Sequence, residues 1–355
     1  MKKFQIILLV MPLLFWAGCG DNENENNEGN PIISGRTIYI VGSDDDGACY
    51  WVNGSRVGLP GGAWATDIVV VDGTVYTSGT GEASDACYWI NQTRYDLPGE
   101  WGEGEAIAVD GDDVYVAGWF DNGSCYWKNG EKINLTTNGE SQAFAIGVRN
   151  NGFVYIGGYY MNNHHYIIPC FWLDGNNRTN LPVPSGGDGE VYDITFDEEG
   201  RMRYYAGYTM KPDPLTGYAP KAARWRHTTR TDLPDGTSDI SLYGTGSYGI
   251  TIDGEDIYVA GYTDWIGDWD NENTGGTFPR YWKNNTAHDL EGGPNTVFGT
   301  GQANDIRVAD GNVVVVGMAT GGPTGESACY WLNGELNYLD VVEGGSSEAT
   351  GVFIE

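Results

Sequence analysis

The residues best suited to chemistry in this 355-residue chain are aromatics interleaved with carboxylates and amides. Trp265 precedes the run Asp268-Trp269-Asp270-Asn271-Glu272, and Tyr159, Tyr160, His164 and Tyr166 cluster upstream. Trp119 leads into Phe120-Asp121-Asn122. Flat rings cover the C–H faces of a polyhydroxylated ring, while carboxylates and amides bond its hydroxyls. This combination suits a sugar. Trp265 and Trp269 head the candidates, because they lie in a segment that nothing else in the chain repeats.

Other chemistries are less well furnished. Asp268, Asp270 and Glu272 place oxygens on alternating residues as a calcium loop does, but the Gly at the sixth position and the distal Glu are missing. No cofactor is expected, with Ca2+ at those residues as the weaker alternative. The chain has four histidines and no Gly-x-Ser-x-Gly elbow. Gly244–Gly249 matches G-x-G-x-x-G, yet it precedes a strand rather than a helix, the wrong context for a dinucleotide. An acid pair for glycoside cleavage depends on carboxyl separation, which a sequence does not give. No catalytic residue is assigned.

The elements that must position these side chains are repeats. Residues 105–135 divide into four short apolar strands, here a to d, joined in part by Asp110-Gly111 and Asn129-Gly130. Such dipeptides favour tight hairpin turns. Strand c recurs seven times, at Cys49-Tyr50-Trp51, Cys87-Tyr88-Trp89, Cys125-Tyr126-Trp127, Cys170-Phe171-Trp172, Ala223-Arg224-Trp225, Arg280-Tyr281-Trp282 and Cys329-Tyr330-Trp331. A strand b ending in Gly precedes each, and a strand d leading to Leu follows. Four-strand repeats of about forty residues predict a seven-bladed β-propeller. The first copy lacks strand a, and Glu348–Glu355 reads as a lone strand a, so the last strand is predicted to complete blade one and close the ring.

In such a ring the short a–b and c–d turns share one face. The long b–c and d–a segments share the other, including 159–169, 208–221, 262–279 and 318–326, which read as loops. Function is expected on that elaborated face. Trp64, Trp101 and Trp119 fall at corresponding blade positions and are expected to pack between blades. Asp67, Asp193 and Asp305 recur before the central Ile of strand a, near the tunnel mouth, where accepting loop N–H groups is the expected role.

Composition narrows the classes. The formal charge is −30, with 54 Gly and 19 Lys plus Arg. This argues against nucleic acid and against electrostatic docking on anionic lipid. Five of the six cysteines share one repeat position, where neighbouring blades hold them beyond disulfide reach, so they read as buried apolar side chains.

Lys2-Lys3, the apolar run from Phe4 to Trp16 and then Ala17-Gly18-Cys19 resemble a bacterial lipoprotein signal, which implies lipidation of Cys19. The acidic run from Gly20 to Asn30 resembles the export tether of surface lipoproteins in Bacteroidetes-like bacteria. The strand pattern is weakly similar to HAF-type extracellular repeats, which implies an exported repeat protein and carries no catalytic residue with it. The expected organisation is a signal peptide at 1–18, a tether at 19–33 and a propeller at 34–355. A lipid-anchored monomer in the envelope is expected, in the outer membrane and exposed at the surface. Its expected role is non-catalytic binding of a glycan or other extracellular polymer. A protein-interaction scaffold in an envelope complex and a carbohydrate-active enzyme are the alternatives.

Overall fold

Seven tryptophans, one per strand c, form the frame of the molecule. Trp51, Trp89, Trp127, Trp172, Trp225, Trp282 and Trp331 are all fully buried. Six of them donate Nε1–H to a carbonyl just past strand d of the preceding blade, at 2.5–3.2 Å: Trp89 to Pro60, Trp225 to Pro182, and Trp51 across the closure to Asp340 among them. Each indole thus fills the space between two sheets and satisfies its one donor there. The cysteines two residues earlier, Cys49, Cys87, Cys125, Cys170 and Cys329, are buried and free. Arg280 takes that slot in blade six and is buried with its guanidinium on Asp289 at 2.7 Å.

This computed structural model describes residues 33–99, 101–121, 123–135, 140–149, 152–213, 217–235, 242–266, 275–292, 300–322, 325–342 and 345–355. They form seven four-stranded antiparallel sheets, without a helix among them. The innermost strands, a, are Glu348–Ile354 in blade one and Gly62–Val71, Gly102–Asp110, Ser141–Val148, Asp188–Phe196, Leu242–Asp253 and Gly301–Ala309 in blades two to seven. The last strand pairs with Ile38–Asp44 of blade one, so the ring closes through backbone hydrogen bonds as the repeat pattern predicts.

The b–c segments differ from the loops expected. In blade five Arg203–Asp213 pairs with Gly217–Arg226, and in blade six Asp256–Ile266 pairs with Gly275–Lys283. They are hairpins prolonging strands b and c beyond the elaborated face. The Gly at the end of each predicted strand b does not stop the strand. At Gly118 and Gly207 an added Cβ would strike the backbone oxygens of Glu103 and Glu190 on strand a, and the other five blades repeat this clash. The glycine permits a close backbone approach inside a longer strand.

Candidate functional site

That close approach marks a bulge. In each blade the pairing of strand a with strand b skips a step: Ala65 opposes Gly79 while Asp67 opposes Ser78, and Gly104 opposes Gly118 while Ala106 opposes Ala117. The other five strands a shift at the equivalent place. The unpaired residues are Thr350, Thr66, Glu105, Phe144, Tyr192, Tyr248 and Asn304 in blades one to seven, with Gly249 also unpaired beside Tyr248. A bulge re-aims a side chain. All seven line one cavity of about 270 Å³ at the ring centre, about midway along strands a. Glu348, the first residue of its strand a, carries the lining toward the elaborated face.

The ring of seven is chemically divided. Blades four to six supply Phe144, Tyr192 and Tyr248, whose centroids are 5.0 Å apart at each step. Tyr159 backs Phe144 at 5.9 Å, and Tyr262 backs Tyr248 at 5.6 Å. The hydroxyls of Tyr192 and Tyr208 both donate to Glu190, at 2.7 and 2.8 Å. Blades seven, one and two supply Asn304, Thr350 and Thr66, each donating to the carbonyl before the next bulge: Ala349, Ala65 and Gly104, at 2.9, 2.8 and 2.6 Å. Glu105 completes the ring in blade three and accepts the Trp119 Nε1–H at 3.1 Å.

Beneath the ring lie Asp67, Asp193 and Asp305. Each Oδ1 accepts the N–H of the next residue in its strand, at 2.7 Å. Each Oδ2 accepts an N–H from the following blade, at Ile107, Ile250 or Val352, at 2.8–3.0 Å. The expected acceptor role holds, but the donors belong to the same and the following strands a, not to loops. Arg307 donates to Asp305 and to the Ile306 carbonyl, at 2.7 and 2.8 Å.

Burial raises the pKa of Asp67 to about 6 and raises those of Asp193, Asp305 and Glu105 as well, Glu103 adding to the effect at Glu105. These groups hold protons in the folded chain at pH values where the unfolded chain has released them. The stability these four groups contribute is therefore fully present below the unfolded value of about 4 and is lost as pH rises through 6 and beyond. Asp67 contributes at most about 3 kcal/mol to that decline. The expected result is a higher Tm at pH 5 than at pH 8, with the slope between pH 4 and 6 flattened in Asp67→Asn. An unchanged slope in that variant would remove Asp67 from the account.

The sequence candidates disperse. Tyr159 is buried behind Phe144, while Tyr160 belongs to the core between blades three and four, with Arg178 over its ring. His164 and Tyr166 sit on an exposed turn held by the Asn162 carboxamide oxygen. Trp119 reaches the site by bonding Glu105. Trp265 lies in strand b of blade six, in register with Gly276. Asp268, Trp269, Asp270 and Glu272 lie outside the described residues, as does Cys19. Among the described residues no group of His, Cys, Asp or Glu is arranged to hold a metal.

Packing between blades is overturned for two tryptophans: Trp64 is 56% and Trp101 68% exposed. Trp64 lies in strand a of blade two, Trp101 just before that of blade three, and Trp119 in a strand b, so the three positions do not correspond. Trp101 also has φ +62°, a left-handed conformation unfavourable for a bulky residue. The sequence reading missed the bulge ring, whose signal was the Gly of each strand b.

No family model matches the chain, and no curated protein matches it. Several solved structures are similar in outline. The extracellular domain of a one-component system from B. thetaiotaomicron aligns at 12% identity and TM-score 0.46 over 86% of this chain. The match takes in 39% of that domain, so this chain spans about two fifths of its length. The propeller domain of the Trilobed protease from Pyrococcus furiosus aligns at 9% identity and TM-score 0.49, over 86% of this chain and 92% of that one. A polysaccharide lyase of family 25, an ulvan lyase, aligns at 11% and 0.46, over 76% and 80%. At such identities and scores the likeness says nothing of what this chain binds or catalyses.

Proposed function

We propose that the protein is a non-catalytic envelope lipoprotein that binds a glycan or other extracellular polymer at the mouth of the propeller. The observation carrying this is the divided bulge ring, with an arc of aromatic faces opposite amide, hydroxyl and carboxyl groups around one cavity. Aromatic faces take C–H surfaces while the opposite arc takes hydroxyls. At about 270 Å³ the cavity is smaller than a drug-sized pocket and suits one saccharide unit or chain end. Trp64 and Trp101 offer exposed indoles on the same face for the rest of the chain. Binding is favoured over cleavage because hydrolysis needs two carboxyls free to act on one bond. Of the carboxyls lining the cavity, Asp67, Asp193 and Asp305 already spend both oxygens on backbone N–H groups, while Glu348 accepts the Asn304 amide and Glu105 the Trp119 indole. The anchor and envelope location rest on the segment from Lys2 to Cys19.

Isothermal titration against neutral, N-acetylated, amino and acidic oligosaccharides tests this reading. Tyr192→Ala and Trp101→Ala are expected to weaken binding about tenfold, the loss of one well-placed ring contact. Trp265→Ala and Trp269→Ala test whether blade six extends the surface. A panel with no ligand, or affinity unmoved by Tyr192→Ala, would sink it.

A further inference from the structure

The charge at the mouth narrows the ligand. Five carboxyls line the cavity, those of Asp67, Glu105, Asp193, Asp305 and Glu348, against one cation, Arg307. Arg307 is committed to Asp305 and a backbone carbonyl. An acidic saccharide would therefore enter a site that repels it. A neutral one can offer Glu105 a hydroxyl but no counter-charge, and the partners Glu105 already has, the Trp119 N–H and the Glu103 carboxyl, supply none either. The adjoining wall consists of ring faces, which attract cations electrostatically, and more strongly when water is excluded. The chain as a whole carries −30 and draws cations toward it.

We infer that the mouth selects a cationic glycan, one whose terminal sugar bears a free amine, with the ammonium held between Glu105 and the rings of Phe144, Tyr192 and Tyr248. This rests on the glycan-binding reading and adds the sign of the ligand to it. Glu105 is placed to supply the counter-charge. It comes from the bulge of blade three beside Phe144, and its carboxyl has the Trp119 N–H and the Glu103 carboxyl for partners, neither of them a cation. The charged groups around it are Glu103 on its own strand, Asp67 from blade two, and Asp193, Asp305, Arg307 and Glu348 from the rest of the mouth. An entering cation displaces protons from these carboxyls, so a permanently charged probe should bind better as pH rises from 6 to 8.

The test titrates the full chain with glucosamine oligomers, their N-acetylated counterparts and tetramethylammonium, at salt high enough to screen the surface charge. Glucosamine oligomers are expected to bind at least tenfold more tightly than the acetylated ones. Glu105→Gln should abolish that preference, and tetramethylammonium affinity should rise with pH in the wild type only. The Gln variant keeps the size and shape of the protonated carboxyl and is expected to fold. Acetylated oligomers binding as well as the amines, with loss in Tyr192→Ala, would overturn this inference and leave the glycan reading standing. Amine binding that survives Glu105→Gln and fades with salt would reduce it to surface attraction and overturn it. No saccharide binding while tetramethylammonium binds through Glu105 would overturn the glycan reading instead.

Discussion

Removing residues 348–355 is expected to lower Tm by about 10 °C or more and to expose blade one to proteases. The deleted strand buries Ala349 and Val352 completely and covers the cluster around Ile38, Ile40 and Trp51. It also carries ties to both neighbouring blades: the Val352 N–H on Asp305, the Asn304 amide on the Ala349 carbonyl and the Glu348 carboxylate, and the Thr350 hydroxyl on the Ala65 carbonyl. Without it, strand b of blade one becomes an unpaired edge at the ring centre, with its N–H and C=O groups toward the channel. A peptide of sequence EATGVFIE added in trans should restore part of the lost Tm. A truncated chain melting within two or three degrees of the full one would contradict closure by this strand.

The second large effect is expected at Trp225. Its replacement by Ala should cost about 3–5 kcal/mol, because it empties a fully buried volume and leaves the Pro182 carbonyl without its donor. Trp101→Ala, at a position 68% exposed, should change stability by no more than about 0.5 kcal/mol. Chemical denaturation of the two variants side by side checks this. Equal losses would mean that strand c tryptophans do not hold blades together. The pairing also separates roles, since Trp101→Ala is expected to weaken saccharide binding with stability intact.

The scaffold was legible because each of its devices repeats. Cys-Tyr-Trp in strand c, Asp-Gly and Asn-Gly at the turns, and the lone strand at 348–355 each have one physical cause recurring blade after blade. The site was harder to read because its residues share a position but not a type. Thr66, Glu105, Phe144, Tyr192, Tyr248, Asn304 and Thr350 have no common chemistry, so no pattern search gathers them. Only the geometry opposite Gly42, Gly79, Gly118 and their equivalents does so, and each of those glycines reads equally well as a strand end. The long b–c segments misled for a related reason. Gly207 and Gly261 resemble breaks, yet the strands continue through them into hairpins. Trp64 and Trp101 read as packing because the repeat pattern puts them at corresponding blade positions with Trp119, although they stand at different places on the inner-strand side of their blades. Asp67, Asp193 and Asp305 were recognised as acceptors because their place before Ile repeats in three blades.

The central claim is that the bulge ring is the binding site, and a crystal structure with a bound amino-oligosaccharide tests it most directly. The account predicts saccharide density at the ring centre, with one sugar against Tyr192 and its amine within hydrogen-bond distance of Glu105. A saccharide bound only on the outer hairpins, with the ring untouched, would contradict it.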